Sequence, residues 1–416
     1  MSALSDLETW EPRYASRAAR MQASEIRDLL SIVEKPGVIS FAGGIPDPAL
    51  FPLDDIRAAY QAVLASDDRA NRAMQYSASE GDPDLRDWIV GYMAGKGVDC
   101  TRENILITNG SQQGLEFLGK LFLSPYDTAL VGAPTYLGAL QAFSAYEPVY
   151  DELRLDDTNR TALSYQDAAS EAGGALKFSY VVSDFSNPTG ETLSLAARTH
   201  LLRLAGELDI PIIEDNPYSD LRYDGEPVPT IQSLNLQACG SINGSRVIYC
   251  GSFSKVFTPG LRVGWICASE KIISRLILIK QASDLNSSAI NQAVALHLAE
   301  RCYDQQISKG RASYRLKRDA MLKALSAHMP KGASWTKPEG GLFVWLTLPE
   351  GFDGADLLQK SIAGFGVAFV PGRAFYADGG GKNTLRLSFS LPDIENIETG
   401  IRRLGALIGE VATPTP

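Results

Sequence analysis

From about residue 100 to 270 the chain alternates short apolar runs with longer segments of helical periodicity, and this rhythm constrains the fold more than any other feature. Asn104-Ile-Leu-Ile-Thr108, Thr128-Ala-Leu-Val-Gly132, Phe178-Ser-Tyr-Val-Val-Ser183, Ile210-Pro-Ile-Ile-Glu-Asp215 and Val247-Ile-Tyr-Cys-Gly251 read as strands. They are apolar throughout rather than alternating, so both faces must be covered. Helix-like segments at Ser111–Phe122, after Ala133-Pro-Thr-Tyr136 and at Ser194–Leu208 supply the cover, with Ser194 as an N-cap. The pattern predicts an α/β fold around a mostly parallel sheet.

Open α/β sheets bind ligands at the carboxyl ends of their strands. Polar residues fall there repeatedly: Ser111, Tyr136, Asn187, Asp215 and Lys255 each follow or end an apolar run. Sequence position alone therefore predicts one shared pocket.

Residues beyond about 310 differ. A charged helix over Arg311–Ser326 leads to strand-like Gly341–Leu348, Val367–Pro371 and Thr384–Phe389, and a helix runs from about Ile394 to Gly409. This predicts a smaller α+β domain. The expected organisation is an N-terminal arm over 1–45 that packs with the small domain, a large domain over 46–309 and a small domain over 310–416.

The 416 residues are 45% hydrophobic, enough for a large core, and the net charge is −10. With no long basic run, neither nucleic acid nor an anionic membrane is an expected partner. Five scattered cysteines without paired spacing fit reduced thiols in a cytosol better than disulfides or a zinc site. The acidic start lacks an apolar signal core, and no apolar stretch reaches membrane-spanning length, so a cytoplasmic location is expected. Only His200, His297 and His328 are present, which argues against a Ser-His-Asp hydrolase or a histidine-bound metal. No metal is expected.

The densest chemistry lies in Val247-Ile-Tyr-Cys-Gly-Ser-Phe-Ser-Lys255 and the following Val-Phe-Thr-Pro-Gly-Leu-Arg262. A lysine after a strand is by itself an ordinary surface charge. Here it follows two hydroxyls and precedes an arginine. Ser252, Ser254 and Arg262 suit a phosphate, and Lys255 can bond covalently to an aldehyde. Pyridoxal phosphate carries both groups. Gly110, Ser111 and Gln112 stand between a strand and a helix start. Serine is common there as a plain N-cap, but the N–H groups also make a phosphate site.

Asp215 ends an apolar strand. It suits a carboxylate paired with a pyridine nitrogen, which keeps that nitrogen protonated. The rival reading, a magnesium ligand of a nucleotide hydrolase, needs a Gly-x-x-x-x-Gly-Lys-Ser/Thr loop that the chain lacks. Asn187 sits in a good turn sequence and reads equally as turn-forming. Tyr136 reads as a ring-stacking or a merely packed aromatic. Arg386, in an alternating strand, offers the fork that matches a carboxylate.

Taken in order, Arg20-Met-Gln-Ala-Ser-Glu-Ile-Arg27, Ser40-Phe-Ala-Gly-Gly-Ile-Pro46, Tyr76-Ser-Ala-Ser-Glu-Gly81, Thr108-Asn-Gly-Ser-Gln-Gln113, Ser186-Asn-Pro-Thr-Gly190, the Ser-x-Ser-Lys255 segment, Glu339-Gly-Gly-Leu-Phe343 and Leu385-Arg-Leu-Ser-Phe389 resemble the fold-type-I pyridoxal-phosphate aminotransferases of class I/II. The likeness is strongest to the 2-aminoadipate and kynurenine aminotransferase branch and covers nearly the whole chain. It implies a seven-stranded large-domain sheet, and a homodimer in which Tyr76 reaches the phosphate of the neighbouring subunit. It also implies that Asn187 and Tyr218 donate to the cofactor's phenolic oxygen, that Lys255 is the general base, and that Arg386 with Gly44 holds the substrate α-carboxylate. In this branch an arginine at the place of Arg20 can meet the substrate's distal group; the other reading is a surface arginine on an arginine-rich arm. The implied activity is transfer of an amino group from an L-amino acid, 2-aminoadipate-like or of broader range, to a 2-oxo acid such as 2-oxoglutarate by a ping-pong route. A lyase or decarboxylase on the same scaffold is the alternative. Some bacterial transcription regulators also use this fold, but they carry a basic winged-helix segment ahead of it, and the stretch before Phe41 is too short for one.

Overall fold

A computed structural model describes residues 10, 13–20, 37–154 and 158–412. In chain order the strands are β1 (Ile39–Ser40), β2 (Ile105–Thr108), β3 (Thr128–Val131), β4 (Val149–Glu152), β5 (Leu176–Val182), β6 (Ile212–Asp215), β7 (Val247–Ser252), β8 (Gly264–Cys267), β9 (Ser334–Trp335), β10 (Phe343–Thr347), β11 (Val367–Ala368), β12 (Val370–Pro371) and β13 (Thr384–Ser388). Seven of them form one sheet in the order β2-β8-β7-β6-β5-β3-β4. All neighbours in it are parallel except β8, which runs antiparallel to both β2 and β7. The expected mostly parallel sheet is present.

Two strands of this sheet escaped the reading of the sequence. Gly264-Trp-Ile-Cys267 is only four residues long and reverses direction straight after the Pro259–Leu261 turn, so no helix announces it. Val149–Glu152 is a half-exposed edge strand without an apolar run.

The period-two geometry of strands divides the buried side chains between the two faces. Leu106, Phe178, Tyr180, Ile213, Ile248 and Ile266 pack on one side with Leu115, Leu118 and Phe143 from the flanking helices. Ile105, Ile107, Tyr249, Trp265 and Cys267 pack on the other with Leu85, Ile89, Val294 and Leu298. The same alternation sends the adjacent carboxylates Glu214 and Asp215 to opposite faces. Glu214 is fully buried and accepts the N–H groups of Ile231 and Gln232, each at 2.9 Å, at the start of the helix Ile231–Cys239. It is a buried helix cap, which leaves Asp215 for the opposite face.

Ser194 accepts from the N–H of Ala197 and caps Leu195–Leu208 as expected. Tyr136 is itself the N-cap of Leu137–Ser144. The charged helix expected over Arg311–Ser326 is the second half of a 40-residue helix, Ala289–His328. Its first half is less charged and lies against the large sheet's cover, so its continuity across residue 309 was not visible in the composition.

Beyond this helix, β9, β10, β12 and β13 form an antiparallel sheet in the order β12-β13-β10-β9. The run expected as one strand at Val367–Pro371 is split at Phe369: β11 pairs in parallel with β1, while β12 joins β13. The C-terminal helix Ile394–Ala412 buries Ile397, Ile401, Leu404 and Ile408, the spacing of an amphipathic helix. Among the described residues no helix is long and apolar enough to cross a membrane, and no cluster of three metal-ligating side chains occurs.

Candidate active site

The carboxyl ends of β5, β6 and β7 open on a cleft with about 600 Å³ of empty space. Ser111, Gln112, Tyr136, Asn187, Asp215, Tyr218, Ser252, Ser254, Lys255 and Arg262 all line it. These residues come from the loops after β2, β3, β5, β6 and β7, which the sheet order brings side by side.

At one end stands an anion cup. Gly110, with φ of 78°, turns the chain from β2 into the helix Ser111–Phe122, whose first two residues line the cleft. Ser252 Oγ accepts the N–H of Ser254 at 3.1 Å and donates to Ser254 Oγ at 2.9 Å. Arg262 adopts a left-handed backbone, φ 52°, and its guanidinium donates to the carbonyls of Pro259 and Asn109 at 3.2 and 3.0 Å. Among the described residues only carbonyls hold it, so its charge remains available to an anionic ligand. Gln112 is anchored by donating to the Gly138 carbonyl at 2.6 Å, and Tyr136 donates weakly to Gln112 Oε1 at 3.4 Å.

At the floor lies Asp215. Its Oδ2 accepts from the Tyr180 hydroxyl at 2.9 Å, whereas its buried Oδ1 has no partner among the described residues. Burial pushes the carboxyl up to about 7, against the lowering effects of the Tyr180 bond and of Lys255. An orphaned acceptor at the base of a cleft calls for a donor from a ligand. Lys255 Nζ reaches the Gly44 carbonyl at 3.2 Å and lies 5.7 Å from the Tyr218 ring centre. Burial brings the ammonium down to about 8; Arg386 and Arg262 add to the fall and Asp215 opposes it. Tyr136 and Tyr218 are both driven upward, chiefly by burial, Tyr136 to about 12, so both remain neutral hydroxyls.

Above the floor sits Arg386 on β13, 2% exposed. It donates through Nη1 to Asn187 Oδ1 at 2.8 Å and through Nη2 to the Ala42 carbonyl at 2.7 Å. The rings of Phe343 and Phe375 flank it at 4.5 and 5.0 Å. Burial lowers it to about 10, still charged at neutral pH. Two of its five donors are engaged, and Nε is buried without a partner. Gly44 lies close against this group: a Cβ there would stand 2.6 Å from the Phe343 ring.

The described chain does not bring two expected residues to the cleft. Tyr76 is 79% exposed and borders a separate depression with Arg69, Arg72 and Trp88. Arg20 is exposed on a 3-10 turn and donates to the Pro148 carbonyl at 3.1 Å; the rest of its motif, 21–27, lies outside the described residues. Conversely, Tyr180, Phe343 and Phe375 were not recognised as site residues. A tyrosine two positions before the end of a core strand, next to Ser179, was the available signal for Tyr180.

The model of aminotransferase class I and II matches residues 37–404. The chain belongs to this family. An aromatic-amino-acid aminotransferase of Thermococcus litoralis is 42% identical over 406 residues, covering 96% of this chain and 95% of its own. The structure of a Pyrococcus horikoshii kynurenine aminotransferase, in complex with PMP, superposes with a TM-score of 0.89 at 40% identity, covering 99% and 100% of the two chains. LysN, an α-aminoadipate aminotransferase of Thermus thermophilus, complexed with N-(5'-phosphopyridoxyl)-L-leucine, gives 0.86 at 36% identity, covering 97% and 99%. This aminotransferase is thus a pyridoxal-phosphate enzyme of fold type I, transferring amino groups between amino and 2-oxo acids. The cleft fits that cofactor: an anion cup at one end, an orphaned carboxylate oxygen at the floor and an unprotonated-prone lysine between them.

Proposed function

We propose that this aminotransferase acts on L-amino acids with long side chains, 2-aminoadipate among them, with 2-oxoglutarate as acceptor. The observation that carries the amino-acid reading is the state of Arg386: a buried guanidinium with no carboxylate partner among the described residues, bonded to Asn187, which lines the same cleft as Lys255. A buried cation without a carboxylate calls for an anionic ligand. The names of the related enzymes support the choice of long side chains.

In this reading Gly110, Ser111, Gln112, Ser252, Ser254 and Arg262 hold the cofactor phosphate, with Tyr76 of the neighbouring subunit completing the cup. Tyr136 covers the ring, Asp215 pairs with its nitrogen, and Asn187 and Tyr218 donate to its phenolic oxygen. When bound, the cofactor supplies an electron sink for the pair of electrons left at the substrate Cα. Arg386 and the Gly44 backbone orient the α-carboxylate. Lys255 would hold the cofactor aldehyde, and its amine would take the Cα proton. A lysine brought down to about 8 matches that task, since a base works best with its pKa close to the working pH. The rings of Phe343 and Phe375 keep water from the guanidinium and strengthen its hold on the carboxylate.

The same proposal includes a cytoplasmic homodimer and the division into a 1–45 arm, a 46–309 large domain and a 310–416 small domain. Pairing of β1 with β11 supports the arm's association with the small domain. The test is a visible absorption spectrum followed during titration with 2-aminoadipate and then 2-oxoglutarate. Bleaching of the cofactor band by the first and its return with the second is expected. Product formation without any acceptor would mean a lyase or decarboxylase instead.

A further inference from the structure

Behind the anion cup runs a partly buried polar network that meets the cleft lining at Arg262. Its centre is Asn109, the residue before Gly110. Its backbone N–H donates to Gln113 Oε1 at 2.8 Å, its side-chain Nδ2 donates to Asp284 Oδ2 at 2.7 Å, and its carbonyl accepts from Arg262 Nη2 at 3.0 Å. Asp284 Oδ2 also accepts from Gln113 Nε2 at 2.7 Å. Both Asp284 oxygens accept from Lys280 Nζ at 3.0 Å, and that ammonium further donates to Ser287 Oγ at 3.0 Å and Gln113 Oε1 at 3.3 Å.

The energetics of this arrangement favour a fixed geometry. The Lys280 side chain is fully buried, so its charge must be paired, and Asp284 is the partner within reach. An ionised carboxylate accepting from Asn109 and Gln113 makes charge-assisted bonds, stronger than neutral ones. Asn109 is therefore pinned by its N–H and its side chain, while its carbonyl pins Arg262. Contact between loop and guanidinium is close: a Cβ at Gly110 would stand 2.5 Å from Arg262 Nη2.

We infer that Asn109, held by Asp284 and its buried partner Lys280, is a positioning residue that sets the distance between Arg262 and the N–H groups at Ser111, and so tunes the site for a phosphate dianion. The inference rests on the proposed role of Ser111 and Arg262 as the phosphate site. Asn109 acts through these two residues and itself contacts no ligand.

The experiment uses the full-length enzyme stripped of cofactor and titrated, by visible absorbance, with pyridoxal 5'-phosphate and separately with pyridoxal, which lacks the phosphate. Asn109→Ala removes the side-chain bond to Asp284, keeps the backbone bonds to Gln113 and Arg262, and leaves Lys280, Asp284 and Gln113 paired. It is expected to weaken pyridoxal 5'-phosphate binding about tenfold, the worth of one charge-assisted bond, and to leave pyridoxal binding unchanged. Inorganic phosphate should compete correspondingly less well. Asn109→Leu, of similar size but without a donor, leaves the Lys280–Asp284 pair intact and carries the same expectation should the alanine variant fold poorly. Unchanged affinity for both ligands, or equal losses on both, overturns the inference, since a merely structural role has no phosphate selectivity. Arg262→Ala separates the two levels. If it loses phosphate selectivity and Asn109→Ala does not, only the positioning role falls; if Arg262→Ala keeps that selectivity, the phosphate site itself has been misread.

Discussion

The Tyr180 hydroxyl donates to Asp215 Oδ2 at 2.9 Å, and this single bond leaves Oδ1 as the free, buried acceptor at the floor of the cleft. Register explains the meeting. Val182 pairs with Asp215 and Tyr180 with Ile213, so Tyr180 and Asp215 project from the same face of neighbouring parallel strands. Tyr180 thereby selects which oxygen is presented and favours the ionised form that burial opposes.

A pH dependence of stability follows in the cofactor-free protein. The folded-state pKa of Asp215, about 7, lies above its ordinary value of 3.8. The folded state then favours the protonated carboxyl, so the contribution to stability is complete below pH 4 and lost as pH rises through 7. Asp215→Asn, which cannot ionise, should exceed the wild type in stability by about 2–4 kcal/mol at pH 8.5. At pH 5 the difference should be much smaller. Denaturation of both apoproteins at the two pH values is the check, and a gap that widens toward pH 5 would contradict the assignment.

Lys255→Ala should retain the cofactor through the cup and Asp215, yet lose turnover by at least about a thousandfold, because the base and the covalent anchor are the same atom. Borohydride reduction followed by mass measurement should find no cofactor bonded to the variant. Near-normal turnover would refute the role of Lys255.

For Arg386→Lys, the expected result is a fall of about a hundredfold in kcat/KM with amino acids, since an ammonium cannot reproduce the fork that faces Asn187 and the Ala42 carbonyl. An amine donor without a carboxylate should be handled almost as before. Kinetics with such a matched pair of donors decide it; a similar loss on both would point to collapse of the site.

Arg20 spends its guanidinium on the Pro148 carbonyl, and its own carbonyl accepts from Ser144, at the end of the helix that Tyr136 caps. To meet a substrate it must exchange that carbonyl for a distal carboxylate. If it does, Arg20→Ala should lower kcat/KM for 2-aminoadipate about tenfold and leave leucine within a factor of about two. Equal losses on both substrates would assign Arg20 to the surface.

Five of the seven strands of the large sheet, and the polar residues at their ends that line the cleft, were legible in the sequence. Apolar runs, their flanking turns and the polar residues that end them are local features, written in consecutive positions. Lys255, Asp215 and Arg386 were legible for that reason, the first two as strand-end polar groups and the third as a charge in an alternating strand. What only the tertiary structure decided was long-range. It assigned Glu214 to a helix cap and Asp215 to the cleft, brought Tyr180 beneath Asp215 from 35 residues away, and closed Asn109 against Asp284 across 175 residues. Strand register and the pairing of buried charges depend on which segments become neighbours, and no property of any one segment specifies that.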